Sequence, residues 1–275
     1  NFAMLFARPI KGVKLKRYKI KGYQDKTIKI YVLRKRKQKQ RSNGLLYLHG
    51  GSFQLEGTPF HIKNLSKLVF ITGDVPIYVK YRLAPKFRFP VGLEDSYKAY
   101  LWMRENCRML NIDKSHISVA GDSAGGNLAV GVALLARDRL NKSVDKLLLF
   151  YPVIDHRQIT ESMRTYDDTP VWNAVLNKHM WETYLKDKNS KMIAYTSFLI
   201  SDLTGLPETY IETAQYDCLR DEGILFAEKL KLLNIKVYER HTMHSVHGYD
   251  GVFYSQFMKD RIKDRSSFLQ GVLKD

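Results

Sequence analysis

The stretch "VAGDSAGGNLA", residues 119–129, decides how this chain is read, because it sets a serine between glycines at the join of an apolar run and a helix-like pattern. "ISVA" precedes it and "GGNLAVGVALLA" follows, so Gly121-x-Ser123-x-Gly125 stands where a strand turns sharply into a helix. Such a turn holds its central residue in strained geometry and needs small neighbours, so that strand and helix can approach each other. A serine there stands at the top of the sheet, next to the free N–H groups of a helix N-terminus. The same pentapeptide also suits a plain turn whose serine caps the helix, so partners are required before Ser123 is given chemistry.

A serine hydroxyl is a weak nucleophile until a base takes its proton and donors hold the oxyanion that forms. The donors are found in "LLYLHGGSF" (45–53), where Gly50, Gly51 and Ser52 leave an apolar strand; with the N–H of Ala124 they suit an oxyanion hole. Eight histidines compete for the base. His247, in "MHSVHGYDGVF", follows the last strand-like run and is the choice, with His244 as its rival; His49 suits positioning of the oxyanion loop. His61, His116, His156, His179 and His241 are read as surface or structural. For the acid, Asp217 in "TAQYDCLRDEG" directly follows a strand-like run, with Asp221 next in line and helix capping as the competing role. Ser123, Asp217, His247 is the chain order of an α/β-hydrolase triad.

Outward from this centre the pattern is consistent. "LLYLH", "PIYVK", "ISVAG", "LLLFY", "TYIETA" and "IKVYER" are short, mostly apolar runs, and helix-period segments separate most of them. That alternation implies βαβ units and an α/β fold, a mostly parallel central sheet with helices on both faces. "VKLKRYKI" (13–20) and "TIKIYVL" (27–33) alternate instead, as an antiparallel edge hairpin with one wet face. The basic run "RKRKQKQR" (34–41) then falls between strand-like runs and is expected at a solvated hairpin tip. The chain is read as one domain, 1–275, with a cap inserted at about 155–200 around "TPVWNAVLNKHMWETYL" (169–185), since long excursions in a compact domain tend to serve as lids. Trp172, Met180 and Trp181 of that segment, with Phe53 of the oxyanion loop, are expected to line the substrate pocket, although an aromatic stripe at helical spacing also suits core packing.

The balance of 45 Lys and Arg against 28 Asp and Glu gives +17, which raises nucleic acid or an anionic membrane surface as partners. No zinc spacing, aromatic RNA-binding motif or recognition helix accompanies the charge, which argues against nucleic acid. Cys107 and Cys218 are too few and too far apart for a disulfide framework or a CxxC knuckle, which points to a reducing, cytoplasmic setting. No apolar run is long enough to span a bilayer, and an export signal lost ahead of "NFAMLF" stays open.

Taken together, "HGGS", "YRLAP" (81–85), "FPVGLEDSYKAYLWM" (89–103), "GDSAGGNLA", "YPVID" (151–155), "DLTGLPETYIETAQYDCLRDEG" (202–223) and "HGY" resemble the bacterial hormone-sensitive-lipase-like esterases of the α/β-hydrolase superfamily. The resemblance implies a serine carboxylesterase acting on small acyl esters of short to medium length through an acyl-enzyme, with a partly helical cap and without metal or organic cofactor. A homodimer stays open. Three departures stand out: Ser52 replaces the usual third glycine, Cys218 replaces a common proline, and Lys86 replaces an acid. Two other readings remain at this stage: a formamidase-like amide hydrolase, and a catalytically silent small-ligand receptor on the same scaffold, which His247 disfavours.

Overall fold

The computed structural model describes residues 4, 6–38, 40–186, 191–252 and 254–274, so Lys39 of the basic run, most of "KDKNSK" (186–191) and part of "NFAMLF" lie outside the described residues. Eight strands form one sheet in the order β1-β2-β4-β3-β5-β6-β7-β8. The strands are β1 (Val13–Lys21), β2 (Thr27–Lys35), β3 (Ser42–Leu48), β4 (Val75–Lys80), β5 (Ile112–Asp122), β6 (Leu147–Phe150), β7 (Thr209–Tyr216) and β8 (Val237–Val246). From β4 to β8 all neighbours are parallel, whereas β1 and β2 run antiparallel at one margin.

Alternation along each strand sends side chains to two cores. On one side Leu46, Leu48, Ile77 and Val119 pack under α2 (Val91–Glu105), α4 (Ala124–Leu140) and α7 (Arg220–Leu232). On the other, Leu45, Tyr47, Tyr78 and Phe150 pack under α1 (Pro59–Thr72) and α8 (Gln256–Leu269). β3, β4, β6, β7 and the second half of β5 from Ile117 are buried on both faces, which is why they read as near-continuous apolar runs. Two shorter helices, α3 (Cys107–Leu110) and α5 (Glu161–Thr165), lie in connections.

Two expectations change. The run 34–41 is not a hairpin tip: β2 pairs with β1 and β4, and β3 with β4 and β5, so the chain passes across β4 between them. The strand pattern of each segment fixed its faces and not its neighbours. The stretch 169–185, whose amphipathic pattern predicts a helix, is helical only over Ala174–Tyr184, α6. Asn173 caps it, its side-chain oxygen accepting from the N–H of Leu176 at 3.0 Å. Pro170 and Val171, the latter at φ 73°, keep the preceding turn out of the helix.

Candidate active site

The end of β5 enters α4 through Ser123, whose backbone sits at φ 53°, ψ −122°. The glycines around it are required by contact. A Cβ on Gly121 would lie 2.1 Å from the carbonyl oxygen of Gly125, and one on Gly125 would lie 2.0 Å from that of Leu48. The strained turn is held by the Ser123 N–H donating to Phe150 at 2.9 Å and by its carbonyl accepting from Gly126 and Val153 at 2.9 and 3.1 Å. Strain of this kind persists only where surrounding bonds over-determine it.

Beyond the ends of β7 and β8 the other two polar groups arrive. His247 Nε2 lies 2.9 Å from Ser123 Oγ, and its Nδ1 lies 2.7 Å from Asp217 Oδ2. The remaining Asp217 oxygen accepts from the N–H of Leu219 at 3.0 Å. Asp217 is fully buried, and Ser123 and His247 are each 6% exposed, so the line of three is shielded yet reaches the cavity at Ser123. His244 and Asp221 stand aside: His244 is exposed, and Asp221 accepts from the N–H of Ser162 and from Arg220. Cys218 is buried, which raises its thiol far above the usual range, and Asp217 keeps its contact with His247 beside it.

The loop after β3 carries Gly50, Gly51 and Ser52, the residues expected to donate. Gly51 is at φ 113° and Ser52 at φ 54°, left-handed conformations that glycine adopts without cost. Ser52 tolerates it by turning its hydroxyl back onto the carbonyl of Gly51 at 2.7 Å, which also accepts from Gln54 and Leu55. Among the described residues, no acceptor takes the backbone N–H of Gly51, Ser52 or Ala124, and Gly51 and Ser52 line the same cavity as Ser123. Gly50 has no room for a side chain: its Cβ would lie 2.4 Å from Asp122 Oδ2.

His49 carries this loop from behind. Its ring stacks on Tyr81 at 4.4 Å between centroids, and its Nδ1 lies 2.7 Å from the carbonyl of Gly50. Burial lowers its pKa to about 4, so the ring stays neutral.

Sequence reasoning passed over a second buried pair. His61, on the first turn of α1, lies with its Nε2 3.2 Å from Asp122 Oδ2, and Tyr47 donates to Asp122 Oδ1 at 2.7 Å. Burial alone would raise the Asp122 carboxyl, but the facing His61 and these hydrogen bonds outweigh it and hold it at about 2. His61 is raised for the converse reason, the attraction of Asp122 exceeding the effect of burial. The pair links α1 to the residue before Ser123, and both partners line the cavity. The one available signal was "T-P-F-H" (58–61), where His61 closes a capping box with Thr58.

The cavity at Ser123 measures about 510 Å³ and includes Leu55, Phe60, Tyr151, Val171, Trp172, Leu176 and His179. Trp172 lines it as expected, its ring 5.9 Å from that of His247. Phe53, Met180 and Trp181 do not line it. All three are at most 1% exposed and belong to the core, where Phe53 stacks on Tyr184 at 3.7 Å. On α6 the buried residues are Asn177, Met180, Trp181 and Tyr184, the inward stripe, so the opposite side presents Leu176 and His179 to the cavity. His179, read as surface or structural, is exposed and stands at the cavity wall. Among the described residues no cluster of His, Cys, Asp and Glu is arranged to hold a metal ion, and no helix is long and apolar enough to cross a membrane.

Comparison with known proteins places these features in context. A family model described as the alpha/beta hydrolase fold matches residues 45–250. Carboxylesterase NlhH of Mycobacterium tuberculosis is 34% identical over 209 residues, which cover 74% of this chain and 66% of the relative. An arylesterase of Saccharolobus solfataricus is 31% identical over 222 residues, covering 78% of this chain and 70% of the relative. Among solved structures, the hyperthermophilic esterase from the archaeon Pyrobaculum calidifontis superposes with a TM-score of 0.88 at 31% identity, covering 94% of this chain and 85% of that one. The chain therefore spans just under two thirds of the length of its mycobacterial relative.

Proposed function

This chain belongs to the α/β-hydrolase fold family, and from that premise we propose that it is a serine carboxylesterase working by two-step acyl transfer. The observation that carries the reading is the unbroken line from Ser123 Oγ through His247 to Asp217, at 2.9 and 2.7 Å. Esterase names among its relatives and structural neighbours support the ester over other acyl substrates.

In the first step Ser123 Oγ attacks the ester carbonyl carbon while its proton passes to His247 Nε2. Asp217 accepts from the Nδ1–H, fixing the tautomer and favouring the imidazolium that forms. The carbonyl oxygen gains the negative charge and meets the N–H groups of Gly51, Ser52 and Ala124, which have no acceptor among the described residues and so give up no hydrogen bond to it. The tetrahedral species collapses, the C–O bond to the alcohol breaks, and the imidazolium returns its proton to the departing oxygen. Water then repeats the sequence on the acyl-serine and releases the acid. Segment 155–200 acts as the cap, with Val171, Trp172, Leu176 and His179 forming the wall that admits short to medium acyl groups.

Ser123→Ala tests the reading. Hydrolysis of p-nitrophenyl acetate and butyrate is expected to fall by about 10⁵-fold or more, as for other triad nucleophiles. Labelling by a fluorophosphonate is expected to vanish with it. A variant within tenfold of the parent removes Ser123 as nucleophile. A parent protein that the probe leaves unlabelled favours the silent-receptor reading, and faster turnover of an anilide than of its matched ester favours the amide hydrolase.

A further inference from the structure

The charge is segregated along the chain. Residues 1–55 hold 15 Lys and Arg against the single acid Asp25, a balance of +14 out of +17, whereas the other 220 residues hold 30 against 27. Asp25 sits in the β1–β2 turn, away from the opposite end of that pair, where Val13 faces Lys35 and Lys14 faces Arg34. Among the described residues, the only ion pair made by a cation of this segment is Arg41 with Asp113 at 3.7 Å. Elsewhere Arg82, Arg139, Arg157, Arg220 and Arg265 are bound to carboxylates at 2.5 to 2.8 Å.

At the Val13–Lys35 end these cations surround exposed apolar side chains. Phe70 and Ile71 are 52% and 49% exposed. Their neighbourhood is continuous: the Arg36 N–H donates to Gly12 at 2.9 Å, a Cβ on Gly12 would touch the Phe70 ring at 3.7 Å, and Lys35 Nζ lies 5.0 Å over that ring. Lys37 and Ile71 line one concavity, and Arg8, Lys14 and Arg36 another. Apolar side chains ringed by unpaired lysines and arginines match a bilayer interface, where rings enter the headgroup layer and cations meet anionic lipid.

We propose that this end of the β1–β2 margin, with the last turn of α1, docks on a membrane surface carrying anionic phospholipid. Register fixes how the docked molecule stands. β2 pairs with β4 so that its Lys35 end lies toward Val75, while Ser123 follows the end of β5 that runs alongside Leu48 and Val79. The patch and the mouth of the cavity thus lie at opposite ends of the strands, roughly 20 Å apart at the rise of an extended chain. Docked this way, the enzyme presents its cavity to solution and hydrolyses water-soluble esters at its unbound rate.

The test is flotation with vesicles of phosphatidylcholine alone, or with about a third phosphatidylserine, at low and high salt. The protein is expected to float only with the anionic vesicles and to be released by salt. K35E/R36E/K37E is expected to bind them at least about tenfold more weakly, with hydrolysis of p-nitrophenyl acetate and thermal midpoint kept. F70S/I71S is expected to lose vesicle binding while retaining the parent's elution from heparin, because only the bilayer takes up the rings. Unchanged flotation of either variant, equal binding to neutral vesicles, or duplex DNA held more tightly than anionic vesicles at the same salt overturns the proposal. A rise in esterase rate on vesicles overturns the orientation.

Discussion

Around the carboxyl ends of β5, β7 and β8, Asp217, Asp122, Glu212 and Asp250 are buried and each has a partner, Asp217 with His247, Asp122 with His61, and Glu212 and Asp250 with Arg265. Along β1 and β2, by contrast, Lys14, Lys16, Lys19, Lys21 and Lys29 face solvent without an ion pair among the described residues. The difference teaches where this molecule has latitude. In a low-dielectric setting an unmatched charge or an added atom has nowhere to go, whereas at a wet edge water substitutes for a missing partner.

Gly125→Ala should break the comparison most severely. The new methyl meets the backbone of Leu48 and His49 at the end of β3, so destabilisation beyond about 4 kcal/mol and loss of soluble, active protein are expected in chemical denaturation. A tolerated alanine shows that strand and helix separate more readily than the packing implies.

Next comes Arg265→Met. Arg265 on α8 bridges Glu212 on β7 and Asp250 just past His247, lies 3.6 Å from the centroid of Phe150, and is 1% exposed; Tyr249 also donates to Glu212. Removing it leaves two buried carboxylates facing each other, so a loss of about 3 to 5 kcal/mol is expected, partly recovered in the double variant with Glu212→Gln. Because Asp250 ends the loop carrying His247, activity is expected to fall as well. A loss under about 1 kcal/mol shows that water reaches the pair.

His49 makes a smaller, pH-dependent difference. Its buried ring binds a proton only near pH 4, while the unfolded imidazole binds one near 6.5. Between those values the unfolded state holds more protons, so stability falls as pH drops through that window. His49→Gln is expected to flatten the curve of unfolding free energy against pH between about 4 and 6.5. An unchanged slope assigns the window to another group.

The smallest effect belongs to the margin: Lys16→Ala and Lys19→Ala are each expected to change stability by less than about 0.5 kcal/mol, and a larger loss means these lysines carry contacts beyond charge.

Much of the site was legible because its signals are local. Ser123 and its glycines answer to one strand-helix turn, and Asp217 and His247 each follow a strand-like run, although β8 continues to Val246, six residues past the end of "IKVYER". The substrate wall was less so. On α6 the pattern identifies a stripe at 177, 180, 181 and 184, but the same periodicity describes a core stripe and a binding stripe, and Met180 and Trp181 fell on the core side. His61 was hidden for another reason: its partner stands 61 positions away, and a lone histidine on a helix carries no mark of what it faces.

By itself the sequence determined the order and kind of the elements, the sharp turn at Ser123, and the succession of Ser123, Asp217 and His247, because periodicity, glycine spacing and apolar runs are properties of short segments. Only the tertiary structure decided that β4 lies between β2 and β3, that the basic run passes over it, and which side of α6 meets the cavity. Those outcomes follow from which surfaces bury one another across the whole chain, and no short window of residues contains both surfaces.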